Sequence, residues 1–414
     1  MRHEEPLPSL GQGQPRPTVG AIARAHGDAF KRQHALTEAQ RKVLRDISAC
    51  RTQVLGGRVD VCAGCGDEKS FFNSCRNRHC PACQSLTQAR WIEGRLARLL
   101  PTDYFHVVFT VPDDLINGLA LRNRELFFNT LFAAGSQTLL ALGEDEKRLG
   151  AQLGLTAVLH TWTRDLRFHP HLHCIVTGGG LTRDGTRWKA TQQDYLFPVS
   201  VLSKLFRGKM VAALDEAFQA GHLELRGVEG FGGEVPEEVA WARLKRKLYR
   251  TKWISYAKPP FAGPEAVYRY LGRYTHRVGL SNHRLISATD DAVTFRTRGE
   301  QTVSLHPHEF LRRFLLHVLP RGFVKLRHYG LLAPGNVNSK LVAALGLLTT
   351  VVAAATKPAT PSLDATLKPI ACEKAEAWRE LLRLLTGVDL TRCQKCGGTI
   401  NSRAVGRPPT KDTS

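Results

Sequence analysis

Phe168-His-Pro-His-Leu-His-Cys-Ile-Val176 is the stretch whose reading decides the fold. From His171 to Thr177 it has the composition of a buried strand, and three glycines, Gly178 to Gly180, close it. Side chains two apart on a strand point to the same face. His171 and His173 therefore share one face, and Leu172, Cys174 and Val176 share the other, towards a core. An eight-residue polar link leads back to a second strand, Leu155-Thr-Ala-Val-Leu-His-Thr-Trp162. Further back, Tyr104-Phe-His-Val-Val-Phe-Thr-Val-Pro112 reads as a strand stopped by proline. A long helical stretch lies between these two. Downstream the pattern gives a helix near 198–220, a basic segment from Arg243 to Lys252 and a short strand near Trp253. A helix at about Pro264 to Arg277 follows, then a hairpin from Arg284 to Thr297 turning at Asp290-Asp291. Strands interleaved with helices but joined largely by short links predict an α+β fold with helices on one face of a sheet.

Composition narrows the partner. The chain has 414 residues and a formal charge of +21, an excess that draws polyanions. Nucleic acid fits better than a membrane. The longest apolar run, Leu341 to Thr356, is shorter than the roughly 20 residues a spanning helix needs. No charged segment followed by an apolar one opens the sequence, so the expected location is the cytoplasm, near the nucleoid.

The cysteines point to metal. There are ten, and six fall between Cys50 and Cys83, a clustering that suits zinc in a reducing compartment. The knuckles Cys62-x-x-Cys65 and Cys80-x-x-Cys83 present four thiolates, the number tetrahedral zinc takes. Cys50, Cys75 and His79 are left over, to complete a second site or replace a ligand of the first. A closed site of this kind folds a small module and presents basic residues, here Arg76 and Arg78, to DNA. Cys393-x-x-Cys396 lies in a tail beyond an Ala/Thr/Pro-rich linker and is less diagnostic, and Gly406-Arg-Pro-Pro reads as solvated.

Two weaker signals complete the set. His171-Leu-His173 can hold one cation, although His-x-His alone is a poor signal: His169-Pro-His171 overlaps it and His306-Pro-His308 repeats it. The first of these would break strand alternation with proline, and the second precedes the helical-looking run from Phe310 to Leu319. Tyr270-Leu-Gly-Arg-Tyr274 stacks two phenols on one helix face among Arg269, Arg273, His276 and Arg277. A structural aromatic pair would look the same. A nucleophile would need a cation or base to favour the phenolate.

Taken together, these pieces resemble the HUH, two-tyrosine transposases of bacterial rolling-circle insertion sequences (insertion-sequence ninety-one type). Asn73-Ser-Cys-Arg-Asn-Arg-His-Cys-Pro81, Phe105 to Pro112, Leu159-His-Thr-Trp162 and Arg327-His-Tyr-Gly-Leu-Leu-Ala333 match the same family in order, over roughly residues 40 to 335. The resemblance implies a structural Zn²⁺ module followed by an HUH nuclease domain with a central antiparallel, ferredoxin- or RRM-like sheet. It implies that His171 and His173 hold Mg²⁺ or Mn²⁺, and that Tyr270 and Tyr274 are nucleophiles cutting single-stranded and transposon-end DNA through a 5′-phosphotyrosine. A third ligand is expected, and His160 is preferred to His106. Arg273 and Arg277, with Arg76 and Arg78, are the expected DNA contacts. The expected organisation is an N-terminal helical segment at 1–49, a zinc module and linking helix at 50–100, the catalytic domain at 101–335, and a linker and tail at 336–414. The rival readings are a non-catalytic zinc DNA-binding protein, and a relaxase or replication initiator with the same chemistry.

Overall fold

The computed structural model describes residues 16–83, 98–192, 194–231, 233–258, 279–355 and 391–406, with 92, 94, 383 and 389. In chain order these form helices α1 (Val19–Gln33) and α2 (Glu38–Ala49), strands β1 (Gly57–Cys62), β2 (Glu68–Phe72) and β3 (Tyr104–Thr110), and helices α3 (Asp113–Arg122) and α4 (Arg124–Glu144). Next come β4 (Gln152–Trp162), β5 (Phe168–Leu181), β6 (Trp188–Ala190), α5 (Val199–Gln219), α6 (Glu237–Arg250) and β7 (Ser255–Lys258). Beyond them lie β8 (Leu285–Ala288), β9 (Val293–Arg296), β10 (Thr302–Leu305), α7 (Pro307–Leu316), β11 (Leu326–Gly330), α8 (Lys340–Ala355) and β12 (Ile400–Val405).

The chain divides into two compact units, Met1–Ser48 with Asn77–Thr349, and Ala49–Arg76 with Thr350–Ser414. This differs from the order expected along the sequence. The N-terminal helices fall with the large sheet, and the tail falls with the first cysteine knuckle.

In the larger unit the main sheet runs β11-β4-β5-β3-β7, with β6 added to β5, and every pairing is antiparallel. Its two faces follow from the period-two pattern. Phe105, Val107, Phe109, Leu155, Ala157, Leu159, Leu172, Cys174 and Val176 pack under α3, α4 and α5 in one core. Burial there pushes the Cys174 thiol up. The opposite face carries His106, Val108, Val158, His160, His171 and His173. Helix α4 is long and apolar enough to cross a membrane by length and composition, but 61% of that stretch is buried within the protein. It is a core helix.

Local signals were met where they were strong. The Thr37 N–H donates to Gln40 Oε1 at 3.0 Å and the Gln40 N–H to Thr37 Oγ1 at 3.3 Å, a reciprocal cap at the start of α2. The expected hairpin is β8–β9, closed by a hydrogen bond from Thr289 to Ala292, and β10 extends it to three strands. His306 caps α7, as a histidine preceding a helix can. Pro170 was expected to break the strand and does not. It sits in β5 beyond the point where β3 pairing stops at Thr110–His171, and where the β4 pairing is irregular between His160 and Trp162. No ladder bond is demanded of it there.

The smaller unit is built on a second sheet, β12-β1-β2, with Gly57 opposite Val405 and Cys62 opposite Ile400.

Candidate metal centre

Three histidines from two neighbouring strands converge in the larger unit. His160 on β4 lies directly opposite His171 on β5, and His173 follows two residues on along β5, on the same face. Each offers a ring nitrogen, and these nitrogens lie within 4.8 Å of one another. The His160 ring is 4.1 Å from that of His173 and 5.4 Å from that of His171, centroid to centroid. Trp162 stacks on His160 at 4.8 Å.

The surroundings set the charge state of these rings. Burial lowers the His171 pKa to about 4, and burial first, then neighbouring histidines, holds His160 and His173 well below the ordinary value. All three are therefore neutral near pH 7, the state in which imidazole is a ligand. His171 Nδ1 donates to the His169 carbonyl at 2.7 Å, which leaves its Nε2 lone pair for a cation. His106 Nε2 lies 2.8 Å from His173 Nδ1, so one strand further out a fourth imidazole orients the third ligand. His169 meets Asp113 at 3.0 Å. Three neutral nitrogens fit a divalent transition metal such as Mn²⁺ better than Mg²⁺, which prefers oxygen.

The expected zinc quartet is changed. In the smaller unit Cys62 and Cys65 meet Cys393 and Cys396, not Cys80 and Cys83: all four Sγ atoms lie within 4.8 Å of one another. The Cys62–Cys396 and Cys65–Cys393 sulfurs are 3.4 and 3.8 Å apart. A tetrahedron with Zn–S bonds of about 2.3 Å has edges of about 3.8 Å, so the donor set fits zinc. Backbone N–H groups of Cys65 and Gly64 hold the Cys62 thiol down at about 6, towards the thiolate that zinc takes. The missed partner had a signal. Both knuckles read Cys-x-x-Cys-Gly, and Gly66 and Gly397 both have left-handed backbone, at φ 70° and 74°. Cys80-Pro-Ala-Cys83 is followed by Gln84.

Other expected residues fall as follows. Cys80 is buried in the larger unit, and its carbonyl accepts from the Cys83 N–H at 3.4 Å. Cys75 is half-buried in the smaller unit. His79 has both ring nitrogens engaged: Nδ1 with Asn77 Oδ1 at 3.2 Å, and Nε2 accepting from the Leu319 N–H at 3.3 Å. It is a packing residue. Arg76 is exposed, with φ 53°, while Arg78 is half-buried and donates to the Phe323 carbonyl at 2.8 Å. Tyr270, Tyr274, Arg273 and Arg277 lie outside the described residues.

Fold and sites define a class first: a cysteine-rich zinc module combined with an antiparallel α+β domain that carries a histidine centre. Residues 22–111 match the family described as "Transposase zinc-binding domain", and residues 154–340 match the one described as "Putative transposase". A relative from Sinorhizobium fredii, "Putative transposase y4qJ", is 43% identical over 391 residues, covering 92% of this chain and 93% of its own length. The "Transposase for insertion sequence element IS801" of Pseudomonas savastanoi pv. phaseolicola is 28% identical over 320 residues, covering 72% of this chain and 71% of its own. The chain belongs to the IS91-type family of transposases. No solved structure matches it.

Proposed function

We propose that this transposase nicks and rejoins single-stranded DNA through a 5′-phosphotyrosine intermediate, driving rolling-circle transposition. The observation that carries the reading is the convergence of His160, His171 and His173 on adjacent strands, in a chain that also holds Tyr270-Leu-Gly-Arg-Tyr274. A divalent cation held by the three imidazoles would polarise the scissile phosphate and stabilise charge on its oxygens. A tyrosine oxygen attacks phosphorus as the bond to the 3′-oxygen breaks, and the phenolic proton ends on that 3′-oxygen. The phosphotyrosine is still a diester, so a 3′-hydroxyl can reverse the step with no external energy. With Tyr270 and Tyr274 both competent, one holds a 5′ end while the other cuts again.

The remaining assignments follow from this. Arg76, Arg78, Arg273 and Arg277 contact the DNA, which is the transposon end in its unpaired form. The four sulfurs Cys62, Cys65, Cys393 and Cys396 bind a structural zinc. The enzyme works in the bacterial cytoplasm, where its DNA is.

The test is incubation of the full-length protein with single-stranded oligonucleotides spanning candidate element ends, with Mn²⁺ or Mg²⁺. The expected product is a denaturation-resistant protein–DNA adduct mapping to Tyr270 or Tyr274. An adduct that survives replacement of both tyrosines by phenylalanine, or no adduct with any end, metal or strand, would overturn the proposal.

A further inference from the structure

The twenty residues from Val239 to Lys258 contain seven lysines and arginines and not one carboxylate. They form most of α6, the turn after it and the edge strand β7. Helix α6 buries Ala240, Trp241 and Leu248, and Lys245 is held by Asp215 at 3.0 Å. Its other face exposes Arg243, Arg246, Lys247 and Arg250, and Lys252 continues the exposed row into the turn. The row then reaches β7, which pairs with β3 so that Tyr256 lies opposite Val108 and Lys258 opposite His106. Residues directly opposite in an antiparallel pair project to the same face. Tyr256 and Lys258 therefore stand on the histidine face, and His106 is the residue 2.8 Å from His173. Tyr256 is 52% exposed on that face.

We infer that this ribbon is the track for the unpaired DNA strand. It rounds the edge of the sheet from the outer face of α6 to the histidine centre. The phosphates lie along Arg246, Lys247, Arg250 and Lys252, one base stacks on Tyr256, and Lys258 meets the phosphate nearest the histidines. A row of cations beside an exposed aromatic ring is the combination that holds single strands without regard to sequence: the charges follow the backbone and the ring accepts any base. A duplex, whose bases are stacked on each other, gains nothing from Tyr256. The inference rests on the single-strand reading proposed above, and adds the surface that delivers the strand.

The test uses full-length protein and a fluorescein-labelled oligodeoxythymidine, with anisotropy read over a range of salt concentrations. Each phosphate contact on a single strand contributes about 0.7 to the slope of log affinity against log salt. The triple variant Arg246→Gln, Lys247→Gln, Arg250→Gln should lower that slope by about 2. A control that removes the same charge elsewhere, Arg32→Gln, Arg183→Gln, Arg298→Gln, should leave it near the wild-type value. Tyr256→Ala should weaken binding by about tenfold or more, and Tyr256→Phe should restore it, because stacking needs the ring and not the hydroxyl. Equal slopes for the two triple variants, or equal affinity for Tyr256→Ala and wild type, would overturn the inference. The proposed chemistry fails separately. If no protein forms an adduct while the ribbon variants still lose single-strand affinity, the track stands and the chemistry falls.

Discussion

At the scale of single residues, the histidine face grades its members by distance from the proposed cation. His160, His171 and His173 bring their nitrogens together, whereas His106 touches His173 from the next strand. Two sizes of effect are expected. His171→Ala, His173→Ala or His160→Ala should lower nicking by about a thousandfold or more, since a lost ligand removes several kcal/mol of transition-state charge stabilisation. Oligonucleotide affinity should barely change, because the basic surface is untouched. His106→Ala should cost about 10- to 100-fold in Mn²⁺ affinity, the usual effect of removing a partner that orients a ligand. Calorimetric Mn²⁺ titration of the four variants separates the two classes, and an inverted order would remove His160 from the ligand set. Replacing both Tyr270 and Tyr274 by phenylalanine keeps the apolar ring and deletes the attacking oxygen. Adduct formation should then vanish in a gel assay while metal binding persists.

At the scale of elements, the sequence carried the strands well and the long-range cysteine pairing poorly. Period-two alternation in β3, β4 and β5 already sorted Leu172, Cys174 and Val176 from His171 and His173, and a short link predicted that His160 would face the pair. Apart from the glycine that follows both knuckles, nothing local says that Cys65 meets Cys393, 328 positions away. That contact depends on β12 adding to β1, and an exposed polar strand has no periodicity that announces it. By loop closure alone the near knuckle at Cys80 is the cheaper partner. The observed pairing makes Cys393→Ser as damaging as Cys62→Ser: each should release about one zinc per chain and abolish amide protection in β1 and β12. Protected strands in the zinc-depleted Cys393→Ser protein would argue against this quartet. Packing under the site is tight as well. A Cβ on Gly135 of α4 would stand 2.6 Å from Leu172 Cδ2, and Leu172 separates the two β5 histidines. Gly135→Val should therefore cost about 1–3 kcal/mol in a denaturant titration through overpacking. If the mutant proved more stable, the helix–sheet contact would be looser than described.

At the scale of the whole molecule, the larger unit is tied together where α7 ends, and histidines make two of the ties. The Leu315 carbonyl accepts from Gln40, and those of Leu316 and Val318 accept from Arg124. The Leu319 N–H donates to His79, and His317 donates from Nε2 to the Leu166 carbonyl at 3.1 Å. Side chains of Gln40 on α2, His79 and Arg124 on α4, with a backbone carbonyl of the β4–β5 link, thus meet residues 315–319. The two histidines are buried and neutral, with pKa values lowered to about 3 by burial in each case. An unfolded chain would titrate them near 6.5. Between those values the unfolded state binds more protons than the native one, so stability is complete above about pH 6.5 and falls as pH drops towards 3. Each histidine should cost about 2 kcal/mol on going from pH 7 to pH 5, less than the limiting slope of about 1.4 kcal/mol per unit would give, because the unfolded ring starts to take its proton only near pH 6.5. Denaturant midpoints measured at the two pH values should therefore fall sharply. His317→Gln keeps a donor for Leu166 without a titrating ring, so it should be less stable than wild type at pH 7 yet lose less between pH 7 and pH 5. A mutant profile parallel to the wild-type one would mean that His317 is protonated in the folded protein, and that the junction at the end of α7 is held together in some other way.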